Sequence, residues 1–233
     1  MNKRQLPKLI AFNGPMGVGK DTWCDEYVSI CEELGYKARK YGLGQPVKDQ
    51  VNLILTMVKV DILNENEIFE ILAKDDSSLS LKEVHSMIDK CISVLSTSGN
   101  ANAYQRSDEM RSLLQYWGTE VRRKHNPNYW LLKADIEISS LLSEGYYVCT
   151  DPRFVEEFTL IHRLGGVNVL LTCSEEERIR RIKERDGFVP SKDKLHHYSE
   201  TLWQNYSHDI TINTEEKTPD YLFDVFTCSK EEL

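Results

Sequence analysis

No apolar run in the chain approaches the ~20 residues of a membrane span, and Met1–Lys8 lacks the apolar core of a signal peptide. Neither a membrane anchor nor export is expected, so the expected compartment is the cytoplasm. Pairing signals for cysteine are missing as well. The six cysteines (Cys24, Cys31, Cys91, Cys149, Cys173 and Cys228) are scattered, with no Cys-x-x-Cys pair, and read as free thiols. His196 and His197 are adjacent, which is poor spacing for one metal ion on a helix or a strand. Positive charge is in deficit: 29 Lys and Arg stand against 37 Asp and Glu, for a net charge of −8. That argues against a general duplex-DNA binder, which needs a basic surface, but not against a local phosphate pocket. Internal repeats are absent, and no linker is clear enough to divide the chain.

What is present is an ordinary globular balance, 40% hydrophobic and 28% charged over 233 residues, long enough to bury a core without disulfide or metal staples. Short apolar strands are expected at Lys8–Asn13, Lys37–Leu43, Tyr146–Thr150, Val167–Thr172 and Asp209–Asn213. Helical periodicity covers Asp21–Leu34, Gln45–Ser96, Ser107–Lys124, Asn128–Ser143 and Phe154–Leu164, and Ser174 caps a charged helix to about Arg185. The small polar run Thr97–Ala103 reads as a loop. Apolar strands alternating with helices predict an α/β fold with a parallel sheet covered on both faces.

The first strand runs into Gly14-Pro15-Met16-Gly17-Val18-Gly19-Lys20, which fits G-x-x-x-x-G-K between a strand and a helix. Glycines let backbone N–H groups, Val18 among them, converge on phosphate oxygens, and the helix N-terminus adds partial positive charge. Lys20 reaches the outer phosphates. Ser or Thr usually follows this lysine to hold Mg²⁺. Here Asp21 does, then Thr22: the carboxylate can bind the metal directly or through a water, and Thr22 can contact a phosphate or serve the metal in its place.

Three further patterns have chemical content. At about 100° per residue, Arg111, Gln115, Gly118 and Arg122 fall within about 60° of one another on a helix, beside an apolar stripe of Leu114, Trp117 and Val121. A polar line with a glycine would let a flat base approach, and Gln115 offers both donor and acceptor. Asp151 ends a strand, where α/β ligand sites open, and Arg153 two residues on can fork onto a monophosphate. Arg178, Arg181 and Arg185 fall at i, i+3 and i+7 on one helical face. Arg178, in the first turn, is expected to be held by nearby glutamates; the plain alternative is a solvated face with Glu177 pairing to Arg181.

These residues carry a resemblance. GVGKDT, then Arg111-Ser-Leu-Leu-Gln115-Tyr-Trp-Gly118-Thr119-Glu120 with Arg123 and Trp130, then Asp151-Pro-Arg153-Phe154-Val-Glu156-Glu157 resemble the bacteriophage-type deoxynucleoside monophosphate kinases. Pro152 and Glu156 depart from the family's third block, and the stretch 56–105 matches none of its motifs. The resemblance implies one P-loop kinase domain over 1–233, with three α/β/α layers and five parallel strands ordered 2-3-1-4-5. It also implies a helical substrate-binding insert at about 45–145 and a lid at about 174–200. The implied reaction moves the γ-phosphoryl group of ATP to a deoxynucleoside monophosphate, with Mg²⁺ held by Asp21 and Asp151. Lys20, Arg153, Arg181 and Arg185 would be catalytic, and Asn213 would lie near the adenine. Lys48, Arg111, Gln115, Gly118, Thr119, Arg122 or Arg123, Trp130, Asp151, Arg153 and Glu157 would bind the monophosphate. Ser199-Glu200 and Asp209–Asn213 resemble the closing segments. Partners would be small nucleotides, with a homodimer allowed and no nucleic acid or membrane. The rivals are a kinase of another small phosphorylated metabolite of the dephosphocoenzyme A type, a nucleotide-dependent ATPase switch, and a non-catalytic scaffold, against which the intact Lys20 argues.

Overall fold

Strand β1 (Leu9–Asn13) is buried along its whole length, as the apolar run of its first four residues requires of a strand covered on both faces. A computed structural model describes residues 6–74, 76–105, 107–150, 152–189 and 206–227, which divide into two compact units. The first comprises Met1–Leu43 and Asp135–Leu233, the second Gly44–Ala134.

In the first unit, β1 pairs in parallel with β3 (Tyr146–Cys149) and β4 (Val167–Thr172). The outer strands β2 (Ala38–Tyr41) and β5 (Ile210–Asn213) complete a five-stranded sheet ordered β2-β3-β1-β4-β5. This is the expected order. Period-2 alternation splits β1 between two cores. Ile10 and Phe12 pack with Trp23, Tyr27 and Ile30 of α1 (Lys20–Glu33), and with Leu222 and Phe226 of α9 (Tyr221–Thr227). Leu9 and Ala11 point to the face covered by α7 (Val155–Arg163), where a Cβ on Gly166 would meet both Ile161 and Leu9. The chain leaves β1 toward β2 on one side, while β4 lies on the other. That reversal opens a crevice beyond the carboxyl end of β1.

The second unit has a core of its own, from Val51 and Ile54 through Met87 and Met110 to Trp117 and Trp130. The helical stretch expected over Gln45–Ser96 resolves into α2 (Gln45–Val60), α3 (Glu65–Ala73) and α4 (Leu81–Ser98). Asp61, at φ 52°, closes α2. Reciprocal capping boxes, Asn64 with Glu67 and Ser80 with Glu83, start the next two. Ser107 caps α5 (Asp108–Gln115), but the rest of the expected helix is π-helical, Tyr116–Arg123. Helix α6 (Tyr129–Leu141) follows.

No described helix is long and apolar enough to cross a membrane. All five cysteines among the described residues are free, and burial pushes the Cys31 thiol up to about 11 and Cys91 up to about 12, which makes both poor nucleophiles.

Candidate active site

The loop from Gly14 to Lys20 needs glycine for two separate reasons. Gly14 has φ 133°, and a Cβ there would lie 2.3 Å from the Leu171 carbonyl oxygen of β4. Gly17, at φ 84°, lies against α8 (Glu175–Asp186), where a Cβ would come within 2.8 Å of both the Arg178 carbonyl and Ile182. The loop is therefore wedged between a strand end and a helix. Lys20 opens α1, and its Nζ donates to the carbonyls of Gly14 (2.7 Å) and Pro15 (3.1 Å).

Beyond the loop is a cavity of about 400 Å³ lined by Gly17, Gly19, Lys20, Asp21, Thr22, Arg153, Arg181 and Arg185. Four cationic side chains thus share one space with a single carboxylate, in a chain whose net charge is −8. This is the arrangement a polyanion requires. Arg181 donates to Glu177 (2.7 Å), to the Val18 carbonyl (3.1 Å) and to Thr214, through both its hydroxyl (2.9 Å) and its carbonyl (3.1 Å). Hydrogen bonds from Arg180 and Arg181 hold the Glu177 carboxyl down at about 2. Arg185 is more exposed and forks onto Asp186, with both contacts at 2.7 Å.

The chain is similar to the Mycobacterium tuberculosis APS kinase in complex with AMPPNP and APS, at 13% identity over 96% of each chain, with a TM-score of 0.43. It is similar also to a Thermus thermophilus protein, at 15% identity over 90% of this chain and 89% of that one, with a TM-score of 0.37. No protein-family model matches the chain, and no curated protein does. The fold itself is clear from the strand order and the loop after β1: a P-loop α/β architecture.

Several expected site residues have other work. Among the described residues no glutamate holds Arg178. It is buried at 7% exposure, and its Nη1 donates to the Met16 carbonyl (3.1 Å). Ile182, one turn further on, is buried as well. Glu157 accepts from the backbone N–H groups of Arg153 (2.7 Å) and Phe154 (3.1 Å) through one carboxylate oxygen, and so caps α7. The Asn213 side chain closes the turn after β5, donating to Glu216 (2.8 Å) and accepting from Glu215 N–H (3.1 Å). Asp151, Ser199, Glu200 and the lid residues from 190 onward lie outside the described residues.

In the second unit, Arg122 is fully buried. Its guanidinium donates to Asp76 (3.1 Å), Gln50 (3.1 Å) and the Leu72 carbonyl (3.0 Å), and lies between the rings of Trp117 (4.8 Å) and Tyr129 (4.7 Å). It is a core cation, and of the two neighbouring arginines Arg123 is the one nearer the surface. Gly118 and Trp130 are buried too: Trp130 Nε1 donates to the Gly118 carbonyl (2.8 Å), and a Cβ on Gly118 would lie 3.2 Å from Val47. That glycine lets the segment pack closely against Val47. Arg111, Gln115 and Thr119 are exposed. Lys48 Nζ stands 5.5 Å from the Tyr104 ring centroid.

Sequence reasoning missed Asp76, Gln50 and Thr214. The arginines they bind lie 33 to 72 positions away, so these pairings have no local signature; only the Asp76 turn onto the Ser78 N–H is local. Asp186, beside the arginine it binds, was legible in principle from the Arg-Asp pair.

Proposed function

We propose that the protein is an ATP-dependent P-loop phosphotransferase whose acceptor is a deoxynucleoside monophosphate. The observation that carries this reading is the cavity beside the phosphate loop, where Lys20, Arg153, Arg181 and Arg185 converge. A phosphoryl donor and a phosphorylated acceptor bring several negative charges together, and cations on more than one side of them lower that cost. The acceptor phosphate is already an anion near neutral pH, so no general base is needed. Catalysis is then positioning plus charge neutralisation.

Within this reading Lys20 and the loop N–H groups bind the donor's outer phosphates, and Arg153 takes the acceptor phosphate. Arg181 and Arg185 neutralise charge on the group in transit. The exposed carboxylate of Asp21 and the neighbouring Thr22 hydroxyl suit Mg²⁺, which takes one or two protein oxygens and fills its remaining sites with phosphates and water. Held there, the ion would supply positive charge that offsets the charge of the donor phosphates. Arg111, Gln115, Thr119, Arg123 and Lys48 are assigned to the acceptor on the strength of the motif resemblance. The insert at 45–145 and the lid at 174–200 belong to the same proposal.

The test is ADP release, measured with ATP and Mg²⁺ against a panel of ribo- and deoxynucleoside monophosphates, with Lys20→Ala alongside. Turnover with at least one deoxynucleoside monophosphate is expected, and a loss of more than about tenfold in kcat, or ~1.4 kcal/mol, in the variant. Acceptor-independent hydrolysis alone would replace the reading with an ATPase.

A further inference from the structure

A loop that turns its peptide N–H groups toward an anion turns the carbonyls of the same peptides the other way, and buried carbonyls need donors. Here α8 supplies them. Arg178 Nη1 donates to the Met16 carbonyl and Arg181 Nη1 to the Val18 carbonyl, each at 3.1 Å. The peptide bearing the Met16 carbonyl also bears the Gly17 N–H, and that of Val18 bears the Gly19 N–H. Both glycines line the cavity. Arg181 reaches the cavity itself, whereas Arg178 stands behind the loop and does not line it. The absence of Cβ at Gly17 lets the backbone of α8 come close enough for this bond.

The two buried arginines also differ in what balances their charge. Arg122 has Asp76. Arg178 is 7% exposed, and among the described residues no carboxylate pairs with it. Among those residues, what faces its positive charge is the Met16 peptide dipole and the loop that would receive an anion.

We infer that Arg178 is a positioning residue: it holds the Met16–Gly17 peptide with its carbonyl outward and its N–H toward the phosphates, and polarises that N–H through the carbonyl. Hydrogen bonds in series strengthen one another in a low-dielectric setting, so a charged donor on the carbonyl makes the N–H a better donor to phosphate. The proposal rests on the nucleotide reading above, and assigns Arg178 to phosphate affinity.

The experiment compares equilibrium binding of ATP and of inorganic tripolyphosphate by the wild-type chain and Arg178→Met, with thermal unfolding midpoints recorded for both. Arg178→Met is expected to weaken both ligands by a similar factor, about tenfold or more. A folded variant that binds ATP within about twofold of wild type overturns the proposal. So does one that loses ATP affinity but keeps that for tripolyphosphate, since Arg178 would then act on the base side. Should Arg178→Met not fold, Arg178→Gln, which keeps a neutral N–H donor, carries the same test. A smaller joint loss is expected of it, and unchanged tripolyphosphate binding counts against the clamp. Failure of the wild-type chain to bind either ligand would instead remove the nucleotide reading.

Discussion

The Arg122–Asp76 pair shows what a buried charge does in this protein. The guanidinium is fully buried and the Asp76 side chain is 8% exposed, so neither charge has water to fall back on. Burial alone would raise the Asp76 carboxyl. Hydrogen bonds from the side chain and backbone N–H of Ser78 and the bond from Arg122 outweigh it, and the carboxyl stands below its ordinary value. A carboxyl depressed by folding adds stability above its unfolded value of about 3.9, and that stability is lost as pH falls through the lower folded value. Asp76→Asn leaves Arg122 uncompensated and is expected to cost about 3 kcal/mol or more at pH 7. Urea unfolding at pH 7 and pH 3 checks both points. The wild type should lose more stability than the variant between the two, and equal losses would mean that Asp76 does not drive the acid limb.

At the scale of elements, the segments read most directly from sequence were those in which a local rule and the tertiary structure agree. The buried run Val167–Thr172 is β4 without a shifted boundary, and Ser174 caps α8 through the N–H of Glu177. The glycine-lysine loop falls between β1 and α1, as its chemistry demands. The helix after Ser107 was misread because its second half is π-helical. A wheel at about 100° per residue puts Arg122 with Arg111 and Gln115, but i→i+5 bonding widens the turn. That geometry brings Arg122 into register with Trp117, five residues earlier, and the two are packed at 4.8 Å. Nothing local announces such a turn. Its cause is tertiary: Trp117 and Arg122 both reach Gln50 of α2. A Cβ on Gly118 would already lie 3.2 Å from Val47 and 3.7 Å from Trp130, so Gly118→Val should overpack against both and cost about 1–3 kcal/mol. Thermal or urea unfolding measures this, and a variant as stable as wild type would show that the segment can relax.

At the scale of the whole molecule, alternating strands and helices made the parallel sheet predictable, and its order was implied by resemblance. The division into two compact units was harder to see, because the chain returns to the first unit after Ala134 without a glycine- or proline-rich linker. Each unit has its own hydrophobic cluster, one built on the sheet and one on helices, so each has the means to resist opening on its own. Asp76 and Arg122 are both in the second unit, and the phosphate loop is in the first. Amide hydrogen exchange should therefore separate them. In Asp76→Asn, exchange is expected to quicken in α2, α3 and the π-helical segment, where Gln50, Leu72 and Arg122 meet, while β1 and β4 keep wild-type protection. Adding ATP and Mg²⁺ should slow the amides of the loop and the first turn of α1 in wild type and variant alike. Exchange that quickens equally in β1 and in α2 would show a single cooperative block, in which damage to the helical core reaches the phosphate loop through global unfolding.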